Sequence, residues 1–414
     1  MRVSIVAAVI LGVASVGVAA AQPSGPLERG IRLYDKKDYL TATVELKRVI
    51  DRETGDDAAN VQRAEFFLGK ALFLTQLTVP ALATFERIAH NDQHAWREPS
   101  IKWIAVALDL LPDVGSGVFA GYDPAAADRP VVDPKVRDAF RYHRGAHLAR
   151  SGGPGGAEML AQIGDASEYR ARAALVLAEL RFGARDTHGG HAELQVAARD
   201  PRFADDAARI LLRWARTLEL GDRTRDALAG LGPHGALVHI ETARLGVERK
   251  GAQLAGVSHD GFAAIAVAAR CTVGGSFASA VASTDRVLAK LRELDDHVEV
   301  YEAVHRMPRD PAIAFALADR PVREAIGFVD ELERELALVS RLDRAWQTTP
   351  IASEVLQELT VQLSVARADA GKLIAQRLDG LRADLAPLAA FGATPLAGQL
   401  ALPDAVCRAP AIAA

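Results

Sequence analysis

The sequence predicts an all-α protein, an array of helical hairpins followed by a longer C-terminal helical hairpin. Three observations carry that expectation. Half of the 414 residues are hydrophobic but only 6% are aromatic, and alanine recurs densely among leucine, arginine and glutamate. A chain rich in the best helix former and poor in large side chains builds its core from closely approaching helices. A small-residue register repeats along the N-terminal part, and the last third carries apolar residues at steps of three and four. The length allows two or three ordinary domains or one array, and the repeated register favours the array.

Residues 1–21 have the three parts of a secretory signal peptide. Arg2 precedes an uncharged, mainly apolar run from Val3 to Val18, which closes on Ala19-Ala20-Ala21 before Gln22-Pro23. Cleavage is expected after Ala21. A membrane anchor is the competing reading, but the run is broken by glycine and has no basic flank after it. No cysteine follows the cleavage site, so lipid attachment is not expected. No later stretch approaches the roughly 20 apolar residues of a spanning helix. The chain is therefore expected to be exported, periplasmic or secreted, with no transmembrane segment after cleavage. A net charge of −4 argues against a nucleic-acid partner.

Residues 26–111 hold the clearest repeats. Gly30 is followed at +12, +16 and +19 by Ala42, Leu46 and Val49; Gly69 is followed at the same steps by Ala81, Phe85 and Ile88. A small residue late in one helix lets the next approach. The alanine early in that second helix faces it, and larger residues four and seven positions on fill the space above. The two units, 26–54 and 61–92, are 39 residues apart, with an extended connection expected around Thr54-Gly55-Asp56-Asp57. Such hairpins cannot bury their own apolar faces alone, so they stack.

Residues 112–134 read as a long loop rich in glycine, aspartate and proline, with Val118, Phe119, Tyr122 and Val131-Val132 embedded. Those apolar residues either hook a partner or pack back on a neighbouring hairpin; packing is favoured. Residues 135–319 carry degenerate echoes of the twelve-residue step at Gly145/Ala157, Ala215/Ala227 and Ala268/Ala280. From Pro321, Val322, Ile326, Val329, Leu332, Leu336, Val339, Leu342 and Trp346 predict one long amphipathic helix. Thr349-Pro350 restarts a helix. Leu356, Leu359, Leu363, Ala366, Ala370 and Leu373 continue it before the register slips to Ile374, Leu378, Leu381, Leu385 and Leu388. Residues 320–390 thus read as a long antiparallel hairpin or as an irregular capping repeat, and 391–414 as an irregular tail.

The glycine, tyrosine and alanine spacing of 26–92 resembles the tetratricopeptide repeat, without its tryptophan or its closing proline and with a step longer than 34 residues. That resemblance implies a right-handed superhelical solenoid whose first helices line a ligand groove. Carried over position by position, the groove residues are Ile31 and Tyr34 in the first unit, and Arg63, Phe66, Lys70 and Phe73 in the second. Tyr142 and Arg150 follow in the third, Arg209 and Arg216 in the fourth. Basic and aromatic character together would suit an acidic or carboxylate-bearing peptide. Packing of Phe66 and Phe73 between helices, with solvated arginines, is the competing reading.

Two cysteines, Cys271 and Cys407, make an even pair in an oxidising compartment, which predicts a disulfide; two separate buried thiols are the alternative. Neither has a CxxC partner. No metal site is expected: His143 and His147 lack the adjacent glutamate of a zinc peptidase, and the pairs His90/His94 and His188/His191 lack further ligands. The glycine run 152–156 lacks the Lys-Ser or Lys-Thr of a phosphate loop, and Ser258-His259-Asp260 is contiguous, unlike a triad assembled by a fold. No catalytic residue and no cofactor is assigned. The leading expectation is a non-enzymatic scaffold of the cell envelope that binds another envelope protein or peptide. Self-association through residues 321–390 and an enzyme with a site assembled from scattered residues are the alternatives.

Overall fold

The computed structural model describes residues 23–113, 118–119, 133–217, 277–294, 296–307, 310, 313, 316–317 and 319–392. The leader, Cys271, Cys407, Ala227, Ala268, most of the 112–134 connection and the tail after residue 392 lie outside the described residues. Among those described, every regular element is a helix. The chain divides into two compact units, one made of 1–103 with 341–355, the other of 104–340 with 356–414.

The first unit begins with α1 (Gly25–Asp35), α2 (Tyr39–Ile50), α3 (Ala58–Leu74) and α4 (Thr78–Ala89). Each of the first three starts on a polar cap: Ser24 accepts from the Leu27 amide, Asp38 from Thr41 and Asp57 from Asn60, so amides without helical partners are satisfied. Consecutive helices pack as pairs. The register read from the sequence is where they touch. A Cβ built on Gly30 would stand 3.0 Å from Leu46, and one on Gly69 would stand 2.7 Å from Phe85. Ala42, Leu46, Val49, Ala81, Phe85 and Ile88 are buried. The expected connection holds Gly55 at φ 71° and Asp56 accepting from the Ser24 amide at 3.0 Å.

The unit is completed by α5 (Arg97–Leu108) as far as Trp103, and by 341–355, which holds the short α14 (Arg344–Gln347) and the first turn of α15 (Pro350–Gly392). Trp346 is buried, and its Nε1–H donates to Thr43 Oγ1 at 2.9 Å. Lys47 pairs with Glu354 at 2.6 Å and Asp51 at 2.5 Å.

The second unit contains α6 (Pro134–Ser151), α7 (Gly156–Ala161), α8 (Arg170–Gly183), α9 (Thr187–Ala198), α10 (Ala204–Thr217), α11 (Phe277–Arg292), α12 (His297–His305), α13 (Arg320–Val339) and the rest of α15. The pair α8–α9 carries the same register as the first unit, at Ala178, Gly190, Leu194 and Ala197, all buried. Its glycine lies on the second helix, where a Cβ would stand 2.7 Å from Phe182. This hairpin is not among the echoes of the twelve-residue step expected from the sequence, because its small and large positions are exchanged between the two helices.

The three hairpin turns share one backbone. Lys37, Gln76 and Arg185, each seven residues after the small residue, take φ of 65°, 66° and 62°. The next amide returns to the carbonyl five residues back, from Asp38 to Leu33, Leu77 to Leu72 and Asp186 to Arg181. This is a Schellman closure made without glycine. After Gly145 the left-handed position is Gly152, and a second, Gly155, lengthens the turn. Gly156 and Leu160, not Ala157, therefore face Gly145.

The long amphipathic helix expected from Pro321 to Trp346 ends at Val339 instead. Asp343 caps the separate α14 by accepting from the Ala345 amide at 2.6 Å. α13 and α15 do run antiparallel: Glu333 meets Arg367 at 2.8 Å, and Asp319 lies 3.7 Å from Arg377. Leu359, Ala366, Ala370, Ile374 and Leu378 are buried, Leu363 and Leu373 are only half-buried, and the side chains of Leu381, Leu385 and Leu388 lie outside the described residues. Leu356 is 38% exposed, because Val355 takes its buried place. Phe119, in the long connection, is buried against Phe140 with ring centroids 4.9 Å apart.

Candidate functional site

In the first unit, α1 and α3 bring together four of the sequence-predicted groove residues, Tyr34, Arg63, Phe66 and Lys70. The Lys70 ammonium stands 4.6 Å from the centroid of Tyr34, 4.9 Å from Phe67, 5.6 Å from Phe66 and 5.8 Å from Trp103. Among the described residues, none gives it a hydrogen bond or an ion pair. Burial holds its pKa below the ordinary lysine range, and the charge of Asp35 acts weakly against that. Ring faces attract a cation but do not accept its protons as a carboxylate does, so the three N–H groups of Lys70 keep their donor capacity. The Arg63 guanidinium lies 5.9 Å from the same Phe67 ring, also without an ion pair among the described residues.

The aromatic wall is itself braced. Phe66 stacks on Trp96 at 4.8 Å and 15°, and Phe85 on Trp103 at 5.7 Å and 14°. Tyr34 meets Phe67 edge-on at 5.1 Å and Tyr39 at 5.4 Å. His94 fixes the approach of Trp96: its Nδ1 accepts from the Trp96 amide at 3.1 Å, which leaves Nε2–H to donate to Glu65 at 3.0 Å. Burial raises the Tyr34 hydroxyl pKa well above its usual value, so the ring stays neutral.

Phe66 and Phe73 are buried, and their place is inter-helix packing, with Phe73 against Trp103 at 5.3 Å. Tyr142 is fully buried in the second unit, where its hydroxyl donates to the Asp113 carboxylate. None of these three rings is presented to solvent. Ile31 is half-buried and Arg150 exposed. Arg209 and Arg216 lie on α10, with side chains outside the described residues, as are Cys271 and Cys407.

Around Tyr142 the second unit holds a buried polar cluster. Asp113 receives Arg320 Nη2 at 3.3 Å, and its own amide donates to Glu324 at 2.8 Å. Burial pushes the Asp113 pKa up, but the Tyr142 hydroxyl, Arg150 and Arg320 bring it below the usual carboxylate range. Arg323 adds a 3.0 Å pair to Asp206. Burial, with the charges of Arg172 and Arg150, lowers His143 to about 4, so it is neutral at ordinary pH. This cluster joins side chains of α6, α10 and α13 inside one unit, and every charge in it faces an opposite one.

Sequence reasoning missed Phe67, Trp96 and Trp103. The adjacent pair Phe66-Phe67 was the available signal: about 100° of helix rotation separates the two rings, so Phe66 is buried while Phe67 is half-buried and stands closer to Lys70. Among the described residues, no three histidine, cysteine or acidic side chains converge as metal ligands, and no helix is long and apolar enough to cross a membrane. No family model, no curated protein and no solved structure matches this chain.

Proposed function

We propose that the protein is a non-enzymatic scaffold of the cell envelope that binds a protein or peptide partner on the Tyr34–Arg63–Phe67–Lys70 face. The observation that carries the reading is Lys70, an ammonium walled by four rings with no acid bonded to it. Burying a cation is unfavourable unless it is paired, so a half-buried and unpaired one gains most when a partner brings the acid. The repeated hairpins support a tetratricopeptide-like stack, a right-handed superhelical solenoid on this reading, and the leader-like N-terminus supports export to the periplasm or beyond.

The test is photocrosslinking in intact cells from a reactive residue at position 67, with and without Arg63→Glu and Lys70→Glu. Loss of a discrete crosslinked partner on charge reversal is the expected result. Capture that is indifferent to both charges removes the proposal.

A second reading, a structural oligomer assembled through α13 and α15, is favoured by Val361 and Val365. They stand one turn apart on α15, each 54% exposed. Light scattering of the full chain with Val361→Lys and Val365→Glu checks it: a mass unchanged from a monomeric wild type rejects it.

A further inference from the structure

The second unit contains a cleft of about 430 Å³ bounded by α11, α12 and α15. Three residues of α15, at i, i+4 and i+8 and so on one face, show how it arises. At Gly371 the start of α12 is pressed against α15, and an added Cβ would run into the carbonyl of His297. One turn on, the small side chain of Ala375 leaves the space beside it unfilled. A further turn on, Asp379 meets Arg292 of α11 at 3.6 Å across the mouth.

The floor is apolar. Leu288, Leu291 and Val300 are buried there, and Leu294 and Ala375 are half-buried at the walls. Water against such a floor finds none of the polar partners that hold an ordered water, so an apolar guest displaces it without losing hydrogen bonds. The volume lies in the range of about 300–1,000 Å³ found for small-molecule sites, which combine apolar walls with a few placed polar groups. At the mouth most polar groups are already engaged. Arg292 and Asp379 pair with each other, and the Asp296 carboxylate accepts from the Glu299 amide at 2.8 Å. Charges of both signs stand there, so a guest ion of either sign meets a like charge. The exposed ring of His297 has no bonded partner among the described residues, and an imidazole can donate to or accept from a hydroxyl.

We infer that this cleft binds an uncharged, apolar small molecule carrying a hydroxyl, with its body on Leu288, Leu291 and Val300 and its hydroxyl on His297. The site lies wholly in the second unit and is independent of the Lys70 face.

The test titrates the full chain with the neutral fluorescent dye N-phenylnaphthylamine and then displaces the dye with octanol, octanoate or octylammonium, which share one chain and differ in head charge. Octanol should displace it at concentrations at least about tenfold lower than either ion. Ala375→Leu, which fills the cleft, should abolish dye binding, and His297→Leu should weaken octanol several-fold. Asp379→Asn, which leaves Arg292 without its acid, should improve octanoate several-fold and leave octanol unchanged. Circular dichroism verifies that each variant folds. Failure of octanol to displace the dye, equal displacement by all three heads, dye binding indifferent to Ala375→Leu, or octanol indifferent to His297→Leu overturns the inference. If Ala375→Leu does not fold, the Asp379→Asn result decides: a head preference unchanged from the wild type places the dye outside this cleft and overturns it.

Discussion

Replacing Gly69 by alanine sets two measurable effects against each other. The added Cβ would stand 2.7, 2.9 and 3.1 Å from Cε1, Cζ and Cδ1 of Phe85, where an ordinary carbon contact is about 3.5–4.0 Å. Phe85 is fully buried and held against Trp103, so its ring has little room to retreat. Overpacking of this kind costs about 1–3 kcal/mol, while alanine in place of glycine inside a helix contributes about 1 kcal/mol of propensity. Overpacking wins at all but its lower limit, for a net loss of up to about 2 kcal/mol. Gly380 on α15 has nothing within 4 Å of its added Cβ. There propensity acts alone, and Gly380→Ala should stabilise by up to about 1 kcal/mol. Urea unfolding followed by tryptophan emission reads the first, with Trp103 reporting beside the clash, and circular dichroism reads the second. In a Phe85→Leu background the cost at position 69 should disappear. Gly69→Ala proving as stabilising as Gly380→Ala, or a cost unchanged by Phe85→Leu, would refute close helix approach as the reason for this glycine.

Gly371→Ala should be harsher, because its Cβ would run into the backbone carbonyl of His297, which has no rotamer to change; a larger drop in urea midpoint than at Gly69 checks it. Lys37→Gly should stabilise by up to about 1.5 kcal/mol, the left-handed strain relieved less the entropy of glycine, read as a higher urea midpoint. Trp346→Ala should cost about 3–5 kcal/mol in the first unit through the cavity and the lost Thr43 bond, seen as an earlier fluorescence transition. His143 binds its proton near pH 4 when folded and near 6.5 when unfolded, so the unfolded chain takes up more protons between those values. Its contribution is present above pH 6.5 and is lost as pH falls through 4, by up to about 3 kcal/mol; His143→Gln should flatten that part of the stability profile.

The helical class and two hairpins were legible because a small residue opposite a large one is a property of side-chain volume, and volume is written in the sequence. The turns were not. Lys37, Gln76 and Arg185 adopt the conformation usually signalled by glycine, and nothing in those residue types announces it. The α8–α9 hairpin was hidden by an exchange of roles: Phe182 supplies the ring and Gly190 the gap, the reverse of Gly69 and Phe85. Trp346 fell on the apolar stripe of the preceding helix and read as its end. Only a partner 303 residues away, Thr43, places it elsewhere. At the candidate site Lys70, Arg63 and Tyr34 were found by register, whereas Phe67 was masked by Phe66 and the two tryptophans lay beyond the repeat.

Because residues 341–355 belong with the first hairpins, the N-terminal unit is finished almost last. A chain that leaves the ribosome or crosses a membrane amino end first exposes Thr43 and Lys47 while some 300 further residues are still to come. Until Trp346 and Glu354 arrive, the Thr43 and Lys47 side chains lack these two partners. The same order governs truncation: ending the chain near Asp319 to remove α13 and α15 also strips Trp346 from α2, so a change in behaviour would report a damaged first unit as readily as a lost interface.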